Sequence, residues 1–305
     1  MDLRHLELLR ELADRGTITA VAEAGYRSPS AVSQQLRSAE RAFGVPLVEP
    51  DGRGLRLTRA GRLLAEGATE VATTLAGLQR DLDALQGDPA GIVTIAALPS
   101  AGEFLIPPVL GRLQNTDVRV RLTDEDVAEA DFATKAADHD IVIGHSMASS
   151  LSGSDRVIAE VIAHEPLDVA LPSGHRLAGR ASLQASDLAG EDWIGVPLGF
   201  PFDTVRIAIE NRSGTGLNVV QRLRDNRLVE ALVAAGVGCA LLPRYTTRSR
   251  PDVVTRTLTD VRSVRSIVAF GRPDRLARAA VRVVLDALLE VGESLPADTW
   301  TQRQA

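Results

Sequence analysis

Apolar residues in the first part of the chain recur at helical spacing and are separated by short turns. They predict a first helix over about residues 2–14, a second over about 18–24 and a third that begins after Ser28. Gly16 ends the first helix, and we expect Tyr26 to fill the junction before the third. Two short helices, a tight turn and a third helix constitute a helix-turn-helix.

The third predicted helix has an apolar and a polar face. Ser28 is a favourable N-cap, and Pro29 falls at the first helical position, where its missing N–H costs nothing. The predicted buried face consists of Val32, Leu36, Ala39 and Phe43, and the polar face of Ser30, Ser33, Gln34, Arg37 and Arg41. Such a polar face can enter a DNA major groove, where hydroxyl, amide and guanidinium groups contact bases and phosphates. Considered alone, it also fits an ordinary solvated helix surface.

A hairpin and a long helix follow. Alternating residues on both sides of the turn 51–54 predict a two-stranded wing with Arg53 at its tip, placed to contact a minor groove or a phosphate. Thr58 caps the next helix, which runs to about Leu85, and Gly87-Asp88-Pro89 then forms a hinge.

The long helix carries an apolar seam spaced 4,3,4,3,4,3 along its length. Its members are Leu64, Ala68, Val71, Leu75, Leu78, Leu82 and Leu85. A narrow a/d seam over three heptads predicts a partner helix and therefore a dimer. The alternative is that the seam packs against the body of the same chain.

From Gly91 onward, short apolar runs alternate with helical stretches, which predicts an α/β body with mostly parallel sheets. The predicted strands are 92–97, 118–122, 140–143, 167–171, 193–196, 217–221, 239–242 and 267–270, and the predicted helices are 104–113, 126–137, 204–211, 226–235 and 275–291. About 210 residues suit two subdomains. We expect Val157–Glu165 and Val264–Phe270 to cross between them, and the last helix to return to the first.

Composition fits a globular, multidomain chain without a membrane span. The chain has 305 residues, 45% of them hydrophobic and 24% charged, and no apolar run of 18 residues or more. Its N-terminus lacks a signal-peptide core, and its only cysteine, Cys239, lies in an apolar run. These features predict a cytoplasmic protein with a buried, inert thiol. The formal net charge of −6 is uneven: residues 17–62 carry +3, as expected of a small basic DNA-binding segment on an acidic body.

Residues after the predicted strands are candidates for a small-molecule cleft, because ligands of α/β folds lie near strand ends and helix N-termini. Ser100, Ala101 and Gly102 follow one strand, His145 and Ser146 follow another, and Pro197, Phe200 and Thr204 stand in the corresponding place of the second subdomain. Ser100 also fits a plain helix cap, and His145 a solvent-facing loop. The five histidines lack metal-ligand spacing, and no nucleophile motif, dinucleotide loop or P-loop occurs, so we expect neither a metal, a cofactor nor an enzyme.

Residues 1–85 resemble the N-terminal region of the LysR-type transcriptional regulators. The matching motifs are LELLRELADRGTITAVAEA, SPSAVSQQLRSAERAFGVPL and LTRAGRLL, and looser matches in the body are ALPSAGEFLIPPVLGRL, DIVIGH, ALPSGHRLAG and GVGCALLP. The resemblance implies a multidomain fold: an all-α winged helix-turn-helix with a dimerising linker helix, followed by an α/β effector domain of two subdomains like periplasmic binding proteins.

The resemblance also assigns boundaries, residues and partners. It implies a DNA-binding domain over 1–58, a linker helix over 59–87 and an effector domain over 91–305, with subdomain I at about 91–160 and 268–295 and subdomain II at about 161–267. By position, the DNA-reading residues are Ser28, Pro29, Ser30, Ser33, Gln34 and, in the wing, Arg53; we add Arg37 from the helix itself. The expected partners are promoter DNA, a small-molecule effector, further copies of the chain in a homodimer or homotetramer, and RNA polymerase.

Two positions depart from the family pattern. After Leu47 the family usually has Phe followed two residues later by Arg, whereas this chain has Val48-Glu49-Pro50. Arg53 or Arg56 is then expected to make the missing phosphate contact. Pro29 replaces a commoner Gln, which removes one adenine contact and should alter base preference. The alternative from another class is a cytoplasmic small-molecule-binding protein whose N-terminus is only a dimerisation arm.

Overall fold

The computed structural model describes residues 2–52, 54–125, 132–147 and 156–296. The chain begins with a head of three helices and a two-stranded antiparallel wing. The elements are α1 (Leu3–Arg15), α2 (Ile18–Ala24), α3 (Pro29–Phe43), β1 (Val48–Asp51) and β2 (Gly54–Leu57). Leu9, Val32 and Leu47 lie at the centre of its small apolar core. The predicted winged helix-turn-helix is confirmed, although Arg53 lies outside the described residues.

The prediction for Tyr26 is wrong. This residue does not fill the junction between α2 and α3 but is 99% exposed. Its backbone has a φ of 51°, in the left-handed region that few non-glycine residues adopt. The tight turn after Gly25 therefore directs the aromatic ring away from the head.

The linker helix α4 (Arg59–Gln86) starts at the wing and ends at Gly87. Thr58 caps it as predicted, because its Oγ1 accepts a hydrogen bond from the Gly61 N–H at 3.1 Å. The start of the apolar seam packs on the head, where Ala68 is buried and Leu64 contacts the core. The remaining members, Val71, Leu75, Leu78, Leu82 and Leu85, are between 38% and 84% exposed. The chain's own body therefore leaves most of the seam uncovered.

The body begins at β3 and contains strands and helices of two halves. Its first elements are β3 (Ala90–Ala97), α5 (Pro99–Arg112), β4 (Asp117–Asp124), α6 (Phe132–Ala136) and β5 (Ile141–Ser146). The middle elements are β6 (Ile158–Pro172), β7 (Ser182–Leu183), a 3₁₀ helix (Ala185–Leu188), β8 (Asp192–Gly195), α7 (Pro201–Ser213), β9 (Asn218–Arg222) and α8 (Asn226–Ala234). The last are β10 (Cys239–Pro243), β11 (Val253–Leu258), β12 (Val264–Gly271), α9 (Pro273–Leu276) and α10 (Ala279–Glu293).

The strands follow one continuous hydrogen-bonded order, β4-β3-β5-β12-β6-β10-β8-β9. Outside this order, β11 pairs with β6, and β7 pairs with β11. In the first half, α5 and α10 cover one face of the sheet and α6 the other. In the second half, α7 and α8 cover opposite faces. Each half thus has a sheet between helices, as the α/β prediction requires.

The prediction of mostly parallel sheets is wrong at the centre of the body. Parallel pairs occur at the outer strands, but β12 is antiparallel to β5 and β6, and β6 is antiparallel to β10 and β11. The reason is that the chain leaves the first half along β6 and returns beside it along β12. β6 is also a single strand of 15 residues, whereas we expected a crossing segment and a separate strand. It changes partners at Pro166 and Leu167.

Other helix predictions hold with shifted ends. The predicted helix 104–113 begins five residues earlier at Pro99, and 275–291 is divided into α9 and α10. Residues 126–131 of the predicted helix 126–137 lie outside the described residues, and α6 forms its later part. In the part of the chain that the structure describes, no helix combines the length and apolarity that crossing a bilayer requires.

The head docks on the body through a network of charged side chains. Arg272, just before α9, donates to Glu11 and Asp14 of α1, each at 3.2 Å, and is only 3% exposed. In the other direction, Arg10 of α1 contacts Asp274 at 2.8 Å, and Arg15 contacts Asp138 at 2.8 Å. Arg156 adds a hydrogen bond to the Ala13 carbonyl and lies 3.7 Å from Asp14. The polar face of α1 is therefore an interface and not a solvated surface.

Candidate nucleic-acid interface and effector cleft

The polar face of α3 is presented to solvent on the head. Ser28 Oγ accepts from the Ala31 N–H at 3.2 Å, which caps the helix, and Pro29 occupies the first helical turn. Val32, Leu36 and Ala39 are buried beneath. The predicted reading residues Ser28, Pro29, Ser30, Gln34 and Arg37 are exposed, and Ser33 is half-buried.

Hydrogen bonds within α3 determine what two of these side chains can offer to a base. Ser33 Oγ donates to the Pro29 carbonyl at 2.9 Å, so its remaining capacity is as an acceptor. Within the described residues the Gln34 amide makes no hydrogen bond and keeps both its donor and its acceptor. An unengaged amide on an exposed helix face can form the paired hydrogen bonds that recognise adenine.

Sequence reasoning missed Arg27 and Gln35. Arg27 Nη1 donates to Gln35 Oε1 at 2.7 Å, and Gln35 Nε2 donates to the Arg4 carbonyl at 3.0 Å, which fixes α3 against the start of α1. Arg4, Arg27, Gln34 and Arg41 line one groove between these helices. The only sequence signal was the position of Arg27 directly before the cap.

The wing carries a charge pair across its two strands. Arg56 lies opposite Glu49 in the β1–β2 register, and Arg56 Nε is 2.9 Å from Glu49 Oε1. Both side chains are largely exposed. The guanidinium expected to make a phosphate contact therefore already has a carboxylate partner.

A cleft of about 460 Å³ lies between the two halves of the body. The elements that meet there include the N-terminus of α5, the end of β5, the N-termini of α7 and α8, the end of β4 and the start of β12. The lining consists of Leu98, Pro99, Ser100, Glu103, Asp124, His145, Val196, Phe200, Pro201, Phe202, Arg224, Asp225, Asn226, Arg227, Thr246 and Arg265. The cleft combines apolar walls with charges of both signs, as small-molecule sites often do.

A buried ion pair forms the floor of the cleft. Arg265 of β12 donates from Nε and Nη2 to Glu165 Oε2 at 2.8 and 2.6 Å, and both side chains are almost completely buried. Glu165 Oε1 accepts from the Tyr245 N–H at 2.8 Å. Arg265 Nη2 also donates to Ser100 Oγ at 3.0 Å, so Ser100 lies on the floor and is not the side-chain cap of α5.

His145 belongs to β5 and is 9% exposed, not a solvent-facing loop residue. Burial, together with the positive charge of Arg265, lowers the pKa of His145 to about 3. Its ring lies edge-on to Phe202, with centroids 5.7 Å apart, and its buried Nδ1 has no hydrogen-bond partner in the part of the chain that the structure describes. His145 is therefore neutral at physiological pH.

Two contacts join side chains around the cleft mouth. Arg227 of α8 is paired with Glu103 of α5, which connects the two halves directly. The Arg224 guanidinium lies 4.6 Å from the centre of the Phe200 ring, within range of a cation–π interaction.

Only some of the predicted effector-binding residues come together. Ser100, His145 and Phe200 line the cleft. The predicted residues Ala101, Gly102, Ser146, Pro197 and Thr204 are not on its lining. Ala101 instead packs into the core, Ser146 is completely buried, and Thr204 is exposed with its Oγ1 donating to the Pro201 carbonyl at 2.6 Å. Sequence reasoning missed Arg265, whose signal was an arginine two residues before the apolar run 267–270.

A second cluster brings together His175, Glu191 and Cys239, whose potential ligand atoms lie within 4.8 Å of one another. No spacing in the sequence predicts this proximity. His175 Nδ1 accepts from the Leu177 N–H at 3.3 Å, so the ring proton is assigned to Nε2, which donates to Glu191 Oε2 at 3.1 Å. Burial raises the pKa of Cys239 to about 12. A protonated Nε2 and a protonated thiol favour a hydrogen-bonded structural cluster over a metal site.

Comparisons with known proteins agree with this architecture. Residues 3–62 match the model of the bacterial regulatory helix-turn-helix protein, lysR family, and residues 86–293 match the LysR substrate binding domain. A hydrogen peroxide-inducible genes activator of Pectobacterium carotovorum is 25% identical over 301 residues, covering 95% of this chain and 96% of its own.

Solved structures share the fold over nearly the whole chain. Full-length OxyR from Pseudomonas aeruginosa gives a TM-score of 0.67 at 19% identity, covering 98% of this chain and 99% of its own. Full-length CbnR, solved with its target DNA, gives 0.52 at 21% identity, covering 94% and 100%. The chain belongs to the LysR family of bacterial transcriptional regulators, with a DNA-binding helix-turn-helix and an effector-binding domain.

Proposed function

We propose that this regulator reads a promoter through α3 and responds to a small molecule bound in the cleft of its body. The observation that supports the DNA-reading role is the exposed, unengaged Gln34 amide on a capped helix in the basic segment of an acidic chain. Ser28, Pro29, Ser30 and Ser33 precede it at the start of α3, Arg37 follows one turn later, and Arg53 stands between β1 and β2 in the sequence.

The experiment compares two substitutions on α3. DNA sites are first selected from a random pool with the wild-type chain. Gln34→Ala should weaken binding to the selected site by about 1–3 kcal/mol and relax the preference at one base pair. Arg37→Gln should weaken binding to all sequences alike and lower the salt dependence by about one counterion. Fluorescence anisotropy over a salt series measures both.

Two results would contradict this assignment. One is that the random pool yields no preferred sequence, and the other is that Gln34→Ala binds the selected site like the wild type. Glu70→Gln, on the exposed surface of α4, serves as the control.

The effector role of the cleft is supported by its volume and its mixture of apolar and charged groups. Closing or opening the cleft would then change the arrangement of the heads on DNA. A thermal-shift screen of metabolites against the full chain tests this role. Cleft binders should lose their effect in Ser100→Ala, and a library without any binder sensitive to Ser100 would remove the support for an effector cleft.

Assembly and further partners belong to the same proposal. The exposed part of the α4 seam supports a homodimer, and two dimers would form a homotetramer, as is plausible for the family. We also propose RNA polymerase as a partner and the cytoplasm as the compartment where the DNA lies. Homology to LysR-family regulators suggests a non-enzymatic protein. The alternative, a small-molecule carrier with a dimerisation arm, predicts no DNA affinity at any salt concentration.

A further inference from the structure

The imidazole of His145 has a hydrogen-bonding capacity that none of the described residues uses. The side chain is about nine-tenths buried, lines the cleft and has an unpartnered Nδ1. A buried polar atom without a partner costs free energy in the empty site. Nδ1 itself is enclosed, whereas the ring lines the cleft, where a ligand can contact it.

Strand pairing places His145 beside the floor of the cleft. In the antiparallel pair of β5 and β12, His145 lies opposite Ile267. Residues two apart on a strand share a face, so the side chain of Arg265 is the diagonal neighbour of His145. Ser100 accepts from Arg265, so His145, Arg265 and Ser100 form one continuous polar surface.

Ser100 presents a donor to an acid group. The Ser100 hydroxyl accepts from Arg265, and among the described residues it donates to no acceptor, so its proton is available. Ser100 also lies in the first turn of α5, where backbone N–H groups and the helix dipole favour an anion.

His145 offers a hydrogen-bond acceptor where Ser100 offers a donor. A neutral imidazole keeps one nitrogen without a proton, and the neighbouring Arg265 cation disfavours the doubly protonated ring. The ring is therefore an acceptor beside a group of donors.

We propose that the cleft selects a small carboxylic acid that carries a hydroxyl or amino donor on the carbon next to the acid group, and that His145 accepts from this donor. The inference rests on the proposed role of the cleft as the effector site. Leu98, Val196 and Phe202 form an apolar wall for the rest of the molecule. The other charged lining residues are Glu103, Asp124, Arg224, Asp225 and Arg227.

Binding of matched acids to the full chain tests this preference for a donor-bearing acid. The acids have either a three-carbon or a branched six-carbon skeleton, and each skeleton is supplied as the 2-hydroxy, 2-amino, 2-oxo and unsubstituted acid. Calorimetry measures the binding. At least one donor-bearing acid should bind about tenfold or more tighter than the unsubstituted and 2-oxo acids of the same skeleton. Asp124→Asn distinguishes the two donors, because it should weaken only an ammonium-bearing acid.

Substitutions identify the residue responsible. His145→Leu should remove the difference between donor-bearing and unsubstituted acids, whereas His145→Gln, which keeps an acceptor, should retain part of it. Ser100→Ala should weaken all the acids alike. His164→Leu, an exposed histidine outside the cleft lining, is the matched control, and thermal melting shows whether each variant folds.

The inference fails if the 2-oxo or unsubstituted acids bind as well as the donor-bearing ones, if His145→Leu and His145→Gln keep the full discrimination, or if only molecules of another class bind the cleft. In these cases the cleft can still be the effector site. Absence of any Ser100-sensitive binder in the metabolite screen would instead remove the proposed function itself.

Discussion

Glu49 places a negative charge on the wing, two residues before Asp51, in a segment (17–62) whose formal net charge is +3. Its carboxylate accepts the Arg56 guanidinium at 2.9 Å, at an exposed site where such a pair contributes little to stability. A phosphate approaching Arg56 has to compete with Glu49. The local pair therefore reduces the positive potential that the wing offers to a DNA backbone.

We expect Glu49→Gln to raise DNA affinity about two- to fivefold at low salt, because it removes a repulsive charge and frees Arg56. The gain should diminish as salt is added. Anisotropy titrations at three salt concentrations measure it, with Asp286→Asn on α10 as the control for a general change in charge. Equal or weaker binding by Glu49→Gln would mean that the wing does not contact the backbone at this point.

At the residue scale, the helix caps could be predicted from the sequence, whereas the surroundings of the cleft side chains could not. Ser28, Pro29 and Thr58 act locally, and their roles follow from the next three residues alone. The surroundings of His145 and Arg265 depend on strands that are more than 100 residues apart in sequence. Spacing reveals no such pairing, so the cleft floor could not be assembled from the sequence.

At the scale of elements, α4 is divided between two functions. Its first turns complete the apolar core of the head. Further along the helix, a row of apolar side chains is at least half exposed, at Leu75, Leu78 and Leu82. Because an uncovered apolar row is unfavourable in water, a second helix is expected to cover it.

Leu78→Lys should therefore weaken the dimer by at least about tenfold, since it places a charge at the middle of the row. Sedimentation velocity over a concentration series measures the dissociation constant. Thr74→Lys, an exposed residue beside the row on the same helix, is the control. A Leu78→Lys chain that remains fully dimeric at nanomolar concentration would show that another surface holds the dimer.

Helices and strands with a strong local pattern could be predicted from the sequence, whereas strands that pair with distant parts of the chain could not. The head, the wing and α4 are continuous in sequence, and their periodicity suffices to define them. β6 contributes to both halves, and its 15 residues were interpreted as two separate pieces. β11, which pairs with β6 and β7, was missed because its polar residues interrupt the apolar pattern.

At the scale of the whole molecule, the head is held on the body by charged groups from both sides. Asp14 is largely enclosed in this contact, and burial raises its pKa to about 6. The groups around it are Glu11, Arg10 and Arg15 on its own helix and Arg156 and Arg272 from the body. Protonated Asp14 is therefore favoured in the docked arrangement relative to a solvated one.

Docking should strengthen as the pH falls from 8 to 5.5. The docked Asp14 has the higher pKa, so the docked state binds a proton between the solvated pKa of 3.8 and about 6, and lowering the pH favours that state. Spin-label distances between head and body, measured at both pH values, report the docked population.

Two variants identify the groups responsible. Asp14→Asn should remove the pH dependence, and Arg272→Gln should loosen the head at both pH values. Arg282→Gln, on α10 and outside the contact, should behave as the wild type. A pH dependence that persists unchanged in Asp14→Asn would assign it to another group.

The continuity of β6 has a mechanical consequence. β6 is hydrogen-bonded to β12 in the first half and to β10 and β11 in the second. The two halves of the sheet therefore share one continuous strand. Bending β6 would break interstrand hydrogen bonds on both of its sides, whereas twisting β6 about its own axis would preserve them. We therefore expect the two halves of the body to rotate slightly about β6 when a ligand fills the cleft. Such a rotation moves atoms least at β6 and most at the outer strands β4 and β9.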